Sequence, residues 1–417
     1  NPDARNLHRN VIFRGETVPD RAVSYFDAPT VEQLWAELDR GCGEGCEVLT
    51  IPHNSNLSNG LMFTSMEETS DETAAGRLRM EPLVEVFQHK GDSECWVGST
   101  LADELCGFEK LPYNNLAGAN LDRRGEPEAL DFVRDVLAEG LRFEAEGRVN
   151  PYRYGLIAST DTHLATPGAT EEAGYPGHGG AGRSNRDELP PGPPDNVWFN
   201  PGGLAVLWAE ENSREALFDA MLRREAYGTS GPRMVVRFFG GREALQVGCD
   251  SPDLVARGYA DGVPMGGELP AGTAPPRFVV TAQADLGTER SPGAALERLQ
   301  IVKGWVEAGE PKVRVIEVAG DPASTGALDP NTCAPVSGGS ARLCGTWTDE
   351  AFDPTVPAFY YVRAIEVPTC RWTTLQCRDA GVSCPTDDPA WSTCCDEELP
   401  SAVQERAWTS PIWHSPP

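Results

Sequence analysis

Three short runs of β-branched and large apolar residues each lead into a histidine, and this recurrence constrains the fold more than any other feature. Val48-Leu-Thr-Ile51 runs into Pro52-His53-Asn54-Ser55-Asn56. Leu83-Val-Glu85-Val-Phe87 runs into Gln88-His89-Lys90-Gly91-Asp92-Ser93-Glu94. Tyr154-Gly-Leu-Ile-Ala-Ser-Thr runs into Asp161-Thr-His163. Of the six histidines in the chain, three therefore sit just past predicted strands. Residues i and i+2 of a strand share a face, so Asp161 and His163 can reach into one small volume. In α/β folds with parallel strands, ligand sites lie beyond the carboxyl ends of the strands. An oxygen donor and imidazoles converging there suit a divalent transition metal. The plain alternative is a capping aspartate followed by a surface histidine.

The rest of the pattern divides near residue 233. Before it, strand and helix alternate, as in an α/β architecture. Asn10–Arg14 reads as an extended stretch. Thr30-Val-Glu-Gln33 is a capping box opening a helix whose apolar face is Leu34, Trp35 and Leu38, with Gly41 as its stop. Residues 54–80 read as polar and irregular. Pro127 opens a second helix with Leu130, Val133, Leu137 and Leu141 at helical spacing. Residues 165–200 form a long Gly/Pro-rich insertion, within which His178 could swing over the pocket, an ordinary exposed loop histidine being the default expectation. Leu204–Trp208 is a strand, and Asn212-Ser-Arg-Glu215 caps a helix expected to run to about Tyr227 and stop at Gly228. From 233 onward, short β runs at 234–239, 277–281, 299–302, 313–316 and 358–365 alternate with Gly/Pro turns, the pattern of a β-sandwich or related module.

With 417 residues, 40% hydrophobic and 24% charged, the chain can bury a real core and divide into two or three domains. A net charge of −28 argues against nucleic acid or an anionic membrane as the main partner. It leaves room for a small anionic ester, because a bound metal inverts the local field. Five of the twelve cysteines crowd into 370–395 among Pro, Thr and Asp, which predicts disulfides, with at least two bridges inside 333–395. A structural zinc cluster competes, but the segment has no paired Cys-x-x-Cys knuckles. Oxidised cysteines imply the periplasm, the cell surface or secretion. No apolar run approaches the roughly 20 residues of a membrane helix. The chain starts at Asn1 rather than Met and carries no signal peptide, so a processed chain or part of a longer precursor is expected.

Several longer motifs carry a family resemblance. Leu7–Arg14, Ile51–Phe63, Val84–Cys95, Ser159–His163, Trp208–Arg214 and Thr229–Arg233 resemble a bacterial family listed as domain of unknown function 3604, over nearly the whole chain. That family looks related to the PHP (polymerase and histidinol phosphatase) metallohydrolases. The resemblance implies a PHP-like distorted β/α barrel in 1–232, incomplete at its N-terminus, followed by a β-rich, disulfide-stapled module in 233–417. It implies two or three divalent metals (Zn, Mn or Fe). His53 would be a mid-chain metal histidine, Glu85 a bridging or terminal carboxylate, and Asp161 with His163 the final Asp-x-His pair. His89 has no counterpart in the generic pattern and is read as specific to this family. An upstream His-x-His and a Thr-Asp-His are absent from these 417 residues, and His8-Arg-Asn10 does not replace them. A separate N-terminal fragment of the same precursor could supply them.

The expected activity is a metal-dependent phosphoesterase, in which the ions acidify a water and clamp the oxygens of an in-line displacement. Asp161, His163 and His89 are the catalytic candidates. Arg9, Asn54, Lys90, Arg214 and Arg233 are the candidate substrate binders, since guanidinium forks match phosphate. A structural ion pair is the competing reading for each of the four cations. The competing function is a non-catalytic envelope or assembly protein on the same scaffold.

Overall fold

The computed structural model describes residues 7–112, 127–178, 189, 195–285, 287–288 and 292–416. The first half alternates strand and helix as expected. β1 (Arg9–Phe13) pairs antiparallel with β2 (Val48–Pro52), with Arg9 opposite Pro52. Between them lies α1 (Val31–Gly41). Its capping box is formed: Gln33 N donates to Thr30 Oγ1 at 3.3 Å and Thr30 N donates to Gln33 Oε1 at 3.1 Å. α2 (Asp71–Met80) occupies a stretch expected to be irregular. One of its inward residues is Arg77, paired with Glu81 at 2.6 Å and stacked on the rings of Trp35, Phe63 and Tyr152. A charge at a core position breaks the apolar repeat by which a helix is recognised.

β3 (Leu83–Gln88) turns into β4 (Gly91–Asp92), and on its other side pairs parallel with β5 (Gly155–Ala158). Parallel neighbours need a crossover, and α3 (Val133–Ala145) is that crossover, burying Val133, Val136, Leu137 and Leu141. β6 (Leu204–Leu207) follows, then α4 (Arg214–Leu222) and β7 (Ala226–Thr229). The helix expected to reach Tyr227 thus ends five residues earlier. Arg224 adopts a left-handed φ of 61°, which stops the helix. Gly228 is not its cap. A Cβ there would lie 2.7 Å from Ala158 N, so Gly228 lets β7 approach the backbone of β5.

The remaining elements are β8 (Val235–Gly241), α5 (Leu254–Asp261), β9 (Val263–Pro264), β10 (Arg277–Gln283), β11 (Leu296–Glu307), β12 (Glu310–Gly320), β13 (Arg342–Thr348), β14 (Ala358–Glu366), β15 (Thr369–Cys370), α6 (Trp372–Asp379), β16 (Ala402–Val403), β17 (Arg406–Thr409) and β18 (Ile412–His414). Seven strands form one sheet in the order β12-β11-β14-β17-β7-β6, with β18 also on β14; four form another, β13-β10-β8-β9. The large sheet therefore includes strands from both sides of residue 233.

Alternation along β14 shows how the layers stack. Tyr360, Val362 and Ala364 join Phe238, Phe278 and Val280 of the four-stranded sheet in one core. Phe359 and Tyr361 join Val136, Leu137 and Leu141 of α3 and Val84 and Val86 of β3 in another. Among the described residues no sheet closes into a barrel. The fold is mixed α/β and β-rich.

All twelve cysteines are paired, in six disulfides. Three bridges lie inside 333–395: Cys333–Cys370, Cys377–Cys394 and Cys384–Cys395. These pairings remove the zinc-cluster alternative and fit an oxidising, extracellular or secreted setting. Among the described residues no helix is long and apolar enough to cross a membrane.

Candidate metal centre

The ends of β2, β3 and β5 bring three predicted residues into contact. Glu85 points inward from β3, 2% exposed, and its carboxylate lies 2.9 Å from His53 Nδ1 just past β2. Ser159 Oγ, at the end of β5, donates to Glu85 at 2.5 Å. The other ring nitrogen, His53 Nε2, lies 3.5 Å from Asp161 Oδ1. His53 is thus held between two carboxylates. Burial opposes its charge, but Glu85 and Asp161 outweigh burial and push its pKa up to about 10. Burial alone would raise Asp161. The hydrogen bond to His53 and the nearby Lys90 charge instead hold it far below the usual carboxylate range.

Asp161 is the hub. Its backbone takes a left-handed φ of 48°, a conformation that Asp tolerates better than most residues. Lys90 Nζ pairs directly with Asp161 Oδ2, and Gln88 Nε2 donates to the same oxygen at 3.0 Å. His89 Nδ1 lies 3.4 Å from Oδ2, and His163 Nε2 lies 3.8 Å from Oδ1. His53, His89 and His163 therefore gather around the Asp161 carboxylate, with Glu85 joined to it through His53, although His163 stays largely exposed, with 61% of its side chain accessible. Asn54, left-handed at φ 58°, places its amide 2.9 Å from His53 Nε2.

The chain matches, over residues 1–416, the family model described as protein of unknown function DUF3604. It belongs to that family. No curated protein and no solved structure matches it.

Other candidates in this DUF3604 chain lie elsewhere. Arg9 is committed to Glu81 at 3.0 Å, in a buried network that also holds Arg77 and Tyr154. Arg214 is the exposed first residue of α4. Arg233 is exposed and donates to Gly168 O at 3.2 Å. Of the four predicted cations, only Lys90 touches the Asp161 cluster in the described contacts. A cavity of about 630 Å³ lies beside His8 and Arg9 and is lined mainly by apolar side chains such as Val11, Leu34 and Met62. Its link to the cluster is His8, whose ring stacks at 6.2 Å on His53.

One neighbour departs from its default expectation. His178, expected in an exposed loop, is 5% exposed, and its ring stacks on His89 with centroids 3.5 Å apart and planes at 14°. It also lies 4.0 Å from the His163 ring. Burial, with Lys90 and His163 adding, pushes its pKa down to about 3, and burial lowers His89 well below the usual histidine value. No local signal marked it, because the glycine-rich context around His178 is that of any surface loop. Gly179–Gly182 and Pro190–Pro194 of the same insertion lie outside the described residues.

The donor set suits a borderline transition metal: two carboxylates with imidazoles, some of them held neutral. His89 Nε2 is buried without a hydrogen-bond partner among the described residues. The ligand atoms are not, however, drawn onto one point. Among the described residues the only three such atoms mutually within 4.8 Å are those of Cys95, Asp103 and Cys106, and the Cys95–Cys106 disulfide consumes both sulfurs. In the cluster itself, Lys90 and His53 supply the positive charge that Asp161 and Glu85 require.

Proposed function

We propose that this protein is a periplasmic, cell-surface or secreted metal-dependent hydrolase of phosphoric or related esters, on a scaffold related to the PHP metallohydrolases. The observation that carries the reading is the meeting of His53, Glu85, Asp161, His89 and His163 at the ends of β2, β3 and β5. A divalent ion held by His53, Glu85, Asp161 and His163 would supply the Lewis acidity that makes water a nucleophile at neutral pH. The protein's own groups do the rest. Lys90 Nζ, already at Asp161, is placed to neutralise the oxyanions of the ester. Asn54 offers an amide beside His53, suited to orienting an ester oxygen. Ser159 Oγ donates to Glu85 and keeps that carboxylate turned toward His53. His89, with Nδ1 on Thr160 O at 3.2 Å, presents its second nitrogen inward to hold or accept a proton.

A second reading, a non-catalytic envelope or assembly protein, draws on one observation: Lys90 takes the Asp161 oxygen that an ion would need. The two are separated by assaying a panel of phosphate mono- and diesters with and without chelator, alongside Asp161→Ala and His163→Ala, and by elemental analysis of the purified chain. The hydrolase reading expects bound metal, chelator-sensitive turnover and a loss of at least a hundredfold in Asp161→Ala, on the order of 3 kcal/mol. Turnover indifferent to chelator, or equal in the variants, overturns the metal mechanism. No metal and no turnover leaves the structural reading.

A further inference from the structure

The geometry points to the cavity beside His8 as the seat of the substrate's organic group, which narrows the substrate class to anionic esters of bulky apolar alcohols, above all those carrying an aryl ring. The inference rests on the ester-hydrolase reading above and names what that centre would take.

Four segments wall the cavity: β1 with the two residues before it, the connection at 23–30 with the start of α1, the turn at 61–64, and α2 through Arg77. Its volume, about 630 Å³, falls within the roughly 300–1,000 Å³ of small-molecule sites. The two guanidinium groups on its wall are already engaged. Arg9 and Arg77 both donate to Glu81 and to the Met62 carbonyl, and their charges are offset by those of Glu81 and Glu32. A second anionic group therefore gains little there, whereas an apolar group gains with every Å² it removes from water. Tyr25 and Leu61 line the cavity and are exposed, and Phe26, 95% exposed, sits edge-on to Tyr25 with centroids 6.0 Å apart. Single exposed apolar residues are ordinary, but three gathered beside one cavity mark a binding surface.

The β1–β2 pairing carries this cavity to the centre. His53 N donates to His8 O at 3.2 Å, one step beyond the Arg9–Pro52 pair, and the two imidazoles stack with planes 12° apart. His8 thus belongs to both places: it lines the cavity and stacks on His53, whose Nε2 lies 3.5 Å from Asp161. An ester whose anionic head meets Lys90 at Asp161 would extend its organic group past His8. The His8 imidazole and the Tyr25 ring there offer faces and edges against which an aryl ring packs.

The test uses the full 417-residue chain with its disulfides intact. Two stable probes, methylphosphonate and naphthylmethylphosphonate, are titrated by calorimetry. Hydrolysis of methyl phosphate and naphthylmethyl phosphate, whose leaving alcohols are of similar acidity, is followed alongside. Wild type should favour the naphthyl member about tenfold or more in both affinity and kcat/KM. Val31→Trp, which fills the cavity, and Leu61→Asp, which places a charge among its lining residues, should each bring both ratios close to one while melting like wild type. The wild-type ratios need no variant, so a folding defect cannot mask the answer. Equal binding of the two phosphonates by wild type, or a preference untouched in both variants, would overturn this inference while ester hydrolysis stands. Naphthyl binding that emerges only after removal of residues 1–6 would give the cavity to the chain's own first residues and overturn it as well. Preferential binding lost in both variants, with no turnover of any ester, would keep the cavity as a ligand site and sink the hydrolase reading instead.

Discussion

Lys90 and Asp161 make one ion pair that serves two masters. The ammonium neutralises Asp161 when no other cation is present, and burial lowers the Lys90 pKa despite the carboxylate beside it. On the metal-dependent reading proposed above, Lys90→Met should tighten Co²⁺ or Zn²⁺ binding by up to about a thousandfold, the ~4 kcal/mol of one unit charge about 4 Å away at an effective dielectric near 20. It should also raise KM for an anionic ester more than it lowers kcat. Calorimetry without substrate checks the first half, and unchanged affinity would refute it. Asp135 offers a different test, remote from the cluster. Its Oδ1 accepts from Ser99 at 2.5 Å while Oδ2 is buried without a partner among the described residues, and burial pushes its pKa up to about 6. The folded state therefore binds this proton more tightly than the unfolded chain. Stability should fall as pH rises from about 4 through about 6, by at most ~3 kcal/mol. Asp135→Asn should flatten that part of the profile and be more stable than wild type at pH 8, by about 1 kcal/mol, in urea titrations at pH 5 and pH 8. The same slope in both proteins would argue against the buried neutral acid. Arg9 shows the limit of reading single residues: its charge was visible, its commitment to Glu81 was not.

At the scale of elements, Glu94 ties three of them together. It follows β4 and is 2% exposed; it accepts from Arg134 on α3 at 2.6 Å, Tyr361 on β14 at 2.6 Å and Trp408 on β17 at 2.7 Å. Arg363, also buried, lies 3.5 Å away. Burial alone would raise its pKa, but Arg363 and Arg134 outweigh burial and hold it well below the usual range. Its stabilisation is therefore present above the ordinary Glu pKa and lost as pH falls. Glu94→Gln should cost about 3–5 kcal/mol near neutral pH, because it leaves two buried guanidinium groups sharing Asp103. Denaturant unfolding measures this, and a loss under 1 kcal/mol would mean the network is replaceable. Such bridges explain which elements were legible. α1 announced itself through Thr30 and Gln33, which are neighbours in sequence. α2 did not, because Arg77 belongs in the core only when Glu81 and three aromatic rings are there to receive it. β7 was misread as the end of a helix because the reason for Gly228 is a strand some 70 residues earlier.

Over the whole molecule, the disulfides report how far each bridge constrains the chain. Cys249–Cys344 links positions 95 apart, whereas Cys42–Cys46 closes a separation of 4. On loop-closure entropy, the double Cys→Ser variant at 249 and 344 should lose about 4–5 kcal/mol, and that at 42 and 46 about 2 kcal/mol or less. Denaturant midpoints of the two variants check the order, and equal losses would show that native packing, not unfolded-chain entropy, sets the bridges' worth. The sequence by itself determined what depends on neighbours along the chain. That covers the strand runs, the α1 cap, the histidines placed just past β2, β3 and β5, and a cysteine-rich segment bound to be oxidised. These follow from periodicities of two and 3.6 residues and from local hydrogen bonds. Only the tertiary structure decided which groups meet across distance: His178 against His89, Lys90 against Asp161, Glu94 between α3 and the large sheet, and β6 and β7 within that sheet. A buried charge or an unpartnered nitrogen has meaning only through its surroundings, and those surroundings come from residues far apart in the chain.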